Sequence, residues 1–466
     1  MISLSLSYIA QTLGWRLIGE DQPLASLSTD SRQVDKGDCF IALYGDNFDA
    51  HAFIDQVIAA GATSLIVSKV QQDCPVPQLV VEDTRLALAQ LAALNKSLAD
   101  VKTIAITGSC GKTTVKEMIS AILSLKGEVL ATLGNFNNEI GAPLTLLRLA
   151  REHQYAVIEL GANHIGEIDF TSGLTKPDVS VITNIGAAHL EGFGSIDGVV
   201  TAKSEIYNHL ATNGTAIFDA DIQYADKWRA KNSDKRVACF SDQSALNNQD
   251  DVWATEINVL ANGCAEFVLN TQTDRQQITL SVPGLHNVKN ALAAAAATIA
   301  VGASLNDIAI GLASMANVKG RLNVNVISPQ LSVIDDTYNA NANSIKAAIE
   351  VLANTQGRKI LVLGEMGELG DYAVECHQSL GPVIEKNNID CLMTIGALSQ
   401  HYGHQYSGQH QHFDNKEALY QALEQDIVSQ ENQRITVLVK GSRSATMETV
   451  VEFIKNNKNI GVPAQC

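Results

Sequence analysis

The chain has 466 residues, 46% hydrophobic and 18% charged, with a formal net charge of -17. This composition excludes a disordered or fibrous protein, and the length implies two or three hydrophobic cores. The acidic balance argues against nucleic acid as a partner, because phosphate neutralisation needs clustered Lys and Arg; it leaves room for a small anion held by one local loop.

The N-terminal stretch "MISLSLSYIAQTLGWRLIGED" lacks the basic start and continuous apolar run of a signal peptide. The alanine-rich run from Ala291 to Ala300 is too short and too weakly apolar to span a bilayer. The eight cysteines are scattered without a C-x-x-C pair, as expected of reduced thiols rather than of a disulfide framework or zinc site. A cytoplasmic protein without membrane insertion is the expectation.

Three segments are read along the chain. Residues 1–83 carry short strand-like runs, "CFIAL", "SLIV" and "QLVV", around a helix from His51 to Ala60, which predicts a small α/β unit. Residues 84–318 carry "TIAIT", a helix over 113–125, "YAVIEL", "VSVITNI" and "GTAIFD", an alternation that predicts a mostly parallel sheet covered on both faces. Within it, "CAEFVLNTQ" and "QQITLSVPG" read as a hairpin ahead of a helix over 287–300. Residues 319–466 restart the pattern with "LSVIDD", "KILVLG", "CLMTIG" and "ITVLVKG", predicting a doubly wound, Rossmann-like α/β domain.

The most informative stretch is "VKTIAITGSCGKTTVKEM", residues 101–118. Strand, glycine turn and helix start follow one another, with Thr107, Gly108, Ser109, Cys110, Gly111, Lys112, Thr113 and Thr114 at the junction. Glycines let backbone N–H groups crowd toward a phosphate, the helix start adds partial positive charge, and Lys112 can reach the β- and γ-oxygens. Thr113 is placed to offer its hydroxyl to Mg²⁺. The pattern T-G-x-x-G-K-T lacks the first glycine of the usual phosphate loop, since residue 106 is Ile. Cys110 reads as a tolerated small residue.

Glu159 ends "YAVIEL", so its carboxylate should emerge beside this loop as a metal-holding acid or, alternatively, stay buried as a structural one. His189 follows the next strand and could face the same crevice or serve packing. Lys203 sits on a helix capped by Ser195 or Asp197, where a lysine is ordinarily solvated. Asn290, together with Asn287, opens the alanine-rich helix after His286, and suits an adenine edge or a helix cap. Arg321 and Asp336, near Tyr338 and Asn339, suit phosphate and ribose contacts. The segment "GEMGELG", residues 364–370, has spacing G-x-x-G-x-x-G rather than that of a dinucleotide fingerprint, so it reads as a loop packing against the ATP crevice.

Taken together, "STDSRQVDKGDCFIALYGDNFDAHAFI", "TGSCGKTTVKEM", "GNFNNEIGAPLTLL", "VIELGANHIGEI", "AAHLEGFGS", "AKSEI", "GLHNVKNALAAAA", "DDTYNANANS" and "LVKGSRSATMETV" resemble the Mur ligases over essentially the full length. The asparagine-rich "GNFNNEIG" and the "GANH" turn point to the branch that completes the peptidoglycan precursor peptide.

The resemblance implies an ATP- and Mg²⁺-dependent ligase joining D-alanyl-D-alanine to UDP-MurNAc-tripeptide through an acyl phosphate, working as a monomer. Lys112 and Thr113 would serve the triphosphate and its metal, Glu159 and His189 would hold Mg²⁺, and Lys203 would match a family lysine that can carry a carbamate. Asn290, Arg321 and Asp336 would surround ATP. Ser31, Asn47 and Phe48 would contact the uridine nucleotide, and Asn137, Asn138, Asn163 and His164 the peptide. Lys440 to Ser444 would help close the C-terminal domain over ATP and D-Ala-D-Ala. Folylpolyglutamate synthetase shares the phosphate loop but not the uridine-binding first segment, and a nucleotide switch without ligase chemistry needs fewer metal-binding groups.

Overall fold

The computed structural model describes residues 1–460 except 46, 47, 244, 247, 250, 317, 431, 432 and 458. Three larger sheets follow one another along the chain, of five, nine and six strands, with two small two-stranded ribbons near the N-terminus.

In the first unit, strands Leu27–Ser28, Cys39–Ile41, Ser64–Val67 and Gln78–Val80 run parallel, and Arg16–Ile18 closes the far edge antiparallel. The expected helix from His51 to Ala60 is divided. Asp49 caps a 3₁₀ turn, Ala50–Phe53, and the α-helix proper spans Ile54–Ala60, ending at Gly61 with φ 113°. Only one face of this sheet has a core of its own, around Phe40, Val57, Leu65 and Val67. Its other face merges through Ile41, Ile66 and Leu79 with Leu88 and Leu91 of helix Thr84–Leu98 into the core of the central unit.

The central sheet has Lys102–Thr107 between Tyr155–Glu159 and Val179–Ile182, all parallel. The parallel series continues through Thr215–Asp219, Arg236–Ser241 and Val252–Val259, and the expected hairpin, Cys264–Asn270 with Arg275–Pro283, finishes the sheet antiparallel. Its inner parallel strands are apolar on both sides because helices cover both faces. Lys112–Leu123, Asn287–Ala300 and Leu305–Ser314 lie on one, burying Val115, Met118, Ile119 and Ile122. Thr84–Leu98, Gly141–Leu147, Glu167–Thr175 and Ile196–Ser204 lie on the other. The chain goes from Lys102–Thr107 to one side of the sheet and returns to the other side of that strand at Val179–Ile182. Such a reversal opens a crevice at the strands' carboxyl ends.

The C-terminal sheet has the four expected strands Leu331–Asp336, Arg358–Gly364, Cys391–Ile395 and Ile435–Lys440, all parallel, with cores on both faces. The strands that escaped the sequence reading include Arg16–Ile18, Leu27–Ser28, Val129–Ala131, Arg236–Ser241, Val252–Val259, Asn323–Val326 and Gln409–Phe413. The last is "QHQHF" on a sheet edge, with polar residues where a buried strand would be apolar. No helix among the described residues is long and apolar enough to cross a membrane.

At the carboxyl edge of the C-terminal sheet, Lys440 Nζ donates to Asp336 Oδ2 at 2.6 Å and to the Asn339 carbonyl at 2.9 Å, and both charged side chains are buried. Removing one partner of a buried pair strands the other charge. Lys440→Met is therefore expected to destabilise this unit by about 3–5 kcal/mol, read as a fall in its thermal unfolding midpoint, and adding Asp336→Asn should recover part of the loss.

Candidate active site

The Lys102–Thr107 strand ends in the middle of the sheet, and the chain turns through Gly108 to Gly111 into helix Lys112–Leu123. Gly108 has φ 148° and Gly111 φ 78°, conformations that glycine adopts without a Cβ penalty. A Cβ on Gly108 would collide with the Thr183 hydroxyl, and one on Gly111 would come 2.5 Å from Asn290 Oδ1. The neighbouring strand pins the turn. Asn184 Oδ1 accepts from the Cys110 N–H at 2.9 Å, while Thr183 Oγ1 and Asn184 Nδ2 donate to the Cys110 carbonyl at 2.6 and 2.9 Å. Thr107 Oγ1 donates to the Leu160 carbonyl at 2.7 Å, tying the strand end to the next strand's exit. Lys112 folds back to donate to the Gly108 carbonyl at 2.7 Å, and desolvation lowers its pKa against the pull of Glu159. What remains is a helix N-terminus behind a rigid glycine turn, the arrangement that receives a phosphate chain.

Glu159 lies across from Ile106 in register and is only 2% exposed. Its Oε2 accepts from Thr113 Oγ1 at 2.9 Å and its Oε1 from Asn137 Nδ2 at 2.8 Å, while its own N–H donates to Thr132 Oγ1 at 3.0 Å. The structure thus brings Thr113, Asn137 and Glu159 to one point beside the phosphate loop.

His189 caps the short helix Leu190–Phe193 from a left-handed conformation, φ 55°. Its Nδ1 pairs with Glu368 Oε2 of the C-terminal unit, and this partner holds the Glu368 carboxyl below the usual carboxylate range. Phe193 packs edge-on to the His189 ring, at 6.2 Å between centroids, and Lys203 Nζ lies 5.2 Å from the same Phe193 ring. Ser195 caps the helix Ile196–Ser204 that carries Lys203.

The solvated lysine expected at 203 is not found. It is 1% exposed, and its Nζ has no hydrogen-bond partner. Burial, then repulsion from Lys112, pushes it down to about 7. A helix read by itself does not reveal which of its faces other elements cover.

Among the described residues no three His, Cys, Asp or Glu side chains converge as a ready-made metal cage. The donors at hand are the Thr113 hydroxyl, the Glu159 carboxylate and the His189 imidazole, with the unpartnered Lys203 amine nearby. That set fits Mg²⁺, which keeps several waters and takes its remaining oxygens from one or two carboxylates and from substrate phosphates.

The other expected residues fall into two groups. Asn290 meets the phosphate loop at Gly111 and donates to Asn287 Oδ1 at 2.8 Å, and Asn287 donates to the Pro283 carbonyl at 2.7 Å. His286 lies beside them, half-buried, its pKa lowered to about 4 by desolvation. Arg321 stacks on Tyr338, 4.3 Å from its ring centroid, with a buried Nε that has no partner. Ser442 and Ser444 hydroxyls meet at 3.0 Å, next to Arg443, which pairs with Glu448 at 3.1 Å.

The contacts of the remaining expected residues are as follows. Asp336 does not present a free carboxylate to a ribose: Lys440 holds one oxygen, and the Leu322 N–H donates to the other at 3.2 Å. Asn138 Oδ1 accepts from the Gly141 N–H at 2.8 Å, at the start of the next helix. Asn163 and His164 sit over Glu167, which accepts from the Asn163 N–H at 2.8 Å and faces His164 Nδ1 at 2.9 Å. Ser31 and Phe48 belong to the first unit, with Phe48 half exposed and stacked on Phe53 at 5.8 Å; Asn47 lies outside the described residues.

Cys110, read as a tolerated residue, donates its thiol to Asn341 Oδ1 at 3.1 Å, and Asn341 Nδ2 donates to the Ser109 carbonyl at 3.4 Å. Asn341 caps helix Ala342–Ala353 of the C-terminal unit. With Thr132, Thr183, Asn184 and Glu368 it forms a set that sequence reasoning did not single out. Thr183 and Asn184 directly follow a strand flanking the phosphate loop, a position that the crevice rule marks. Asn341 and Glu368 carry no comparable local signal.

Comparison with known proteins agrees along the whole chain. Residues 23–96 match the model of the Mur ligase family, catalytic domain; residues 106–298 that of the Mur ligase middle domain; and residues 320–443 that of the Mur ligase, glutamate ligase domain. The UDP-N-acetylmuramoyl-tripeptide--D-alanyl-D-alanine ligase of Escherichia coli K12 is 46% identical, covering 98% of this chain and 99% of its own. The Bacillus subtilis ligase of the same name is 33% identical, over 97% and 98%. A crystal structure of MurF from Acinetobacter baumannii superposes with a TM-score of 0.91 at 39% identity, covering 98% of this chain and 99% of that one. MurF from Thermotoga maritima, solved in complex with ADP, gives 0.81 at 27% identity, over 92% and 97%. The chain belongs to the Mur ligase family.

Proposed function

We propose that this protein is an ATP-dependent ligase that joins D-alanyl-D-alanine to UDP-N-acetylmuramoyl-tripeptide, completing the pentapeptide precursor of peptidoglycan. The observation that carries the reading is the meeting of the glycine turn with Thr113, Glu159 and Asn137 at a single crevice, in a chain alike over its full length to ligases of that name. The three sheets support a division into a nucleotide-substrate domain over 1–83, an ATP-binding domain over 84–318 and a closing domain over 319–466. Every residue in this reading comes from one chain, so a monomer suffices.

A carboxylate does not condense with an amine at neutral pH, because oxide is too poor a leaving group. The tripeptide carboxylate therefore attacks the γ-phosphorus of ATP, and ADP departs, leaving an acyl phosphate. The amine of D-Ala-D-Ala, having lost a proton from its ammonium form, attacks the acyl carbon. A second proton is lost as the tetrahedral adduct collapses to amide and inorganic phosphate. Lys112, swung from the Gly108 carbonyl onto the phosphates, offsets charge on the transferring group. Arg321 has an unpartnered guanidinium nitrogen for the same purpose. Thr113, Glu159 and His189 would hold Mg²⁺, which supplies Lewis-acid polarisation of the phosphoryl oxygens. Packing of the C-terminal unit against the phosphate loop through Asn341 favours a dry crevice, in which the acyl phosphate escapes hydrolysis.

Lys203 fits the same scheme as a carbamate. Its neutral amine adds CO₂ with loss of one proton, which converts a cation into an anion facing the metal donors.

Two experiments follow. Phosphate release with ATP, Mg²⁺, UDP-MurNAc-tripeptide and D-Ala-D-Ala should fall to background when any one is omitted, with the pentapeptide visible by mass spectrometry; Lys112→Ala should lower kcat by about 10²–10³-fold while the melting temperature holds. Separately, ¹³C-bicarbonate should give a carbamate NMR signal that Lys203→Ala abolishes. A lysine at about 7 is mostly neutral above that pH and mostly charged below it, so the signal should be strong at pH 8 and fade as the pH drops below 7.

A further inference from the structure

The contact between His189 and Glu368 joins two units of the chain, with the imidazole mostly buried and the carboxylate about half exposed, and the backbone on both sides sets it apart from an ordinary surface ion pair. Glu368 lies in the loop after strand Arg358–Gly364, and both it and His189 adopt left-handed backbone, at φ 62° and 55°. Non-glycine residues in that region are strained by roughly 1–3 kcal/mol each and persist where their surroundings over-determine them.

The loop is braced by its own unit. Glu365 takes the Leu398 N–H on its carboxylate at 2.8 Å and the Ser442 N–H on its carbonyl at 2.8 Å, while the Met366 N–H donates to the buried His377 at 3.1 Å. It is also laid against the His189 turn: the Glu191 N–H donates to the Glu368 carbonyl at 3.3 Å, and Gly370 runs beside Glu191 closely enough that a Cβ there would sit 3.5 Å from Glu191 Cα. Glu368 is thus presented by a stiff element to one nitrogen of one imidazole.

Nδ1 of His189 lies against the Glu368 carboxylate, and an imidazole that keeps its proton on that nitrogen has its lone pair on Nε2. A carboxylate behind an imidazole fixes its tautomer and ring orientation and raises its basicity toward a metal on the other nitrogen. We propose that Glu368 is a positioning residue: it sets the His189 ring for the cation, and because it belongs to the C-terminal unit, it makes cation binding depend on docking of that unit onto the central one. The inference rests on the reading of His189 as a metal-holding residue. Its consequence is that the open enzyme binds its cation weakly, which protects ATP from hydrolysis before the crevice has closed.

The test uses the full-length protein with a non-hydrolysable ATP analogue, titrated with Mn²⁺ and followed by EPR, alongside the Mg²⁺ dependence of phosphate release. Glu368→Ala should weaken Mn²⁺ binding by about 10- to 100-fold and raise half-saturating Mg²⁺ in proportion. Glu368→Gln, whose amide oxygen still accepts from Nδ1, should lie between that variant and the wild type; it decides the matter if the alanine variant proves unfolded by thermal melting. The double variant with His189→Ala should bind no more weakly than His189→Ala alone, since the two act as one unit. Small-angle scattering of Glu368→Ala with the analogue should show a more extended particle at low Mn²⁺ than at saturation.

Unchanged Mn²⁺ affinity in both Glu368 variants, with His189→Ala impaired, overturns the inference and leaves the metal reading intact. The same holds if the variants raise only the KM for D-Ala-D-Ala, which would mean that the carboxylate serves the incoming amine. Unchanged Mn²⁺ affinity in His189→Ala itself overturns the underlying metal reading, and the inference with it.

Discussion

The structure depends on a turn that only glycine can make at two places. Gly108 and Gly111 bring backbone within contact distance of Thr183 and Asn290, so that the phosphate loop is clamped between the adjacent strand and the first turn of helix Asn287–Ala300. Side chains at these positions would push the clamp apart and add left-handed strain. Much of the central unit serves that geometry. The parallel sheet places the loop at the chain reversal, and the alanine-rich helix is narrow enough to lie close behind it. Asparagine and threonine side chains then consume the hydrogen bonds that a turn of this kind leaves open.

Charge in the crevice is arranged by depth. Glu159 is buried with both oxygens occupied by neutral donors, and Lys112 stands close enough to feel its charge. Lys203 is the complement, a buried amine whose environment favours the neutral form. An acid ready to meet a cation and a lysine ready to lose its charge are both poorly placed for stability and well placed for a site that receives a highly anionic substrate with its metal. The global charge of -17 is irrelevant at this range, since the loop supplies its own local potential.

The C-terminal unit is not a bystander to this arrangement. Asn341 reaches the phosphate loop from one side and Glu368 reaches His189 from the other, so two independent contacts report whether that unit is docked. Both come from positions governed by local backbone needs, a helix cap and a left-handed loop residue. The segment containing Glu368, read from its spacing as a loop packing against the crevice rather than a dinucleotide fingerprint, packs on the His189 turn.

The amino-acid sequence by itself determined the alternation of strands and helices, the glycine turn with Lys112 and Thr113, and the position of Glu159 at a strand's end, because each follows from local periodicity, chain geometry and the steric needs of glycine. It also carried the family, since nine motifs in order cannot arise from one local cause. Strands with polar edges, such as Gln409–Phe413, escaped because alternation fades where no face is buried. Only the tertiary structure decided the protonation environment of Lys203, the pairing of Asp336 with Lys440, the capping duty of Asn138 and the partnership of His189 with Glu368. Burial, and contacts between residues far apart in the chain, are set by which surfaces come together, and no window of neighbouring residues contains that information.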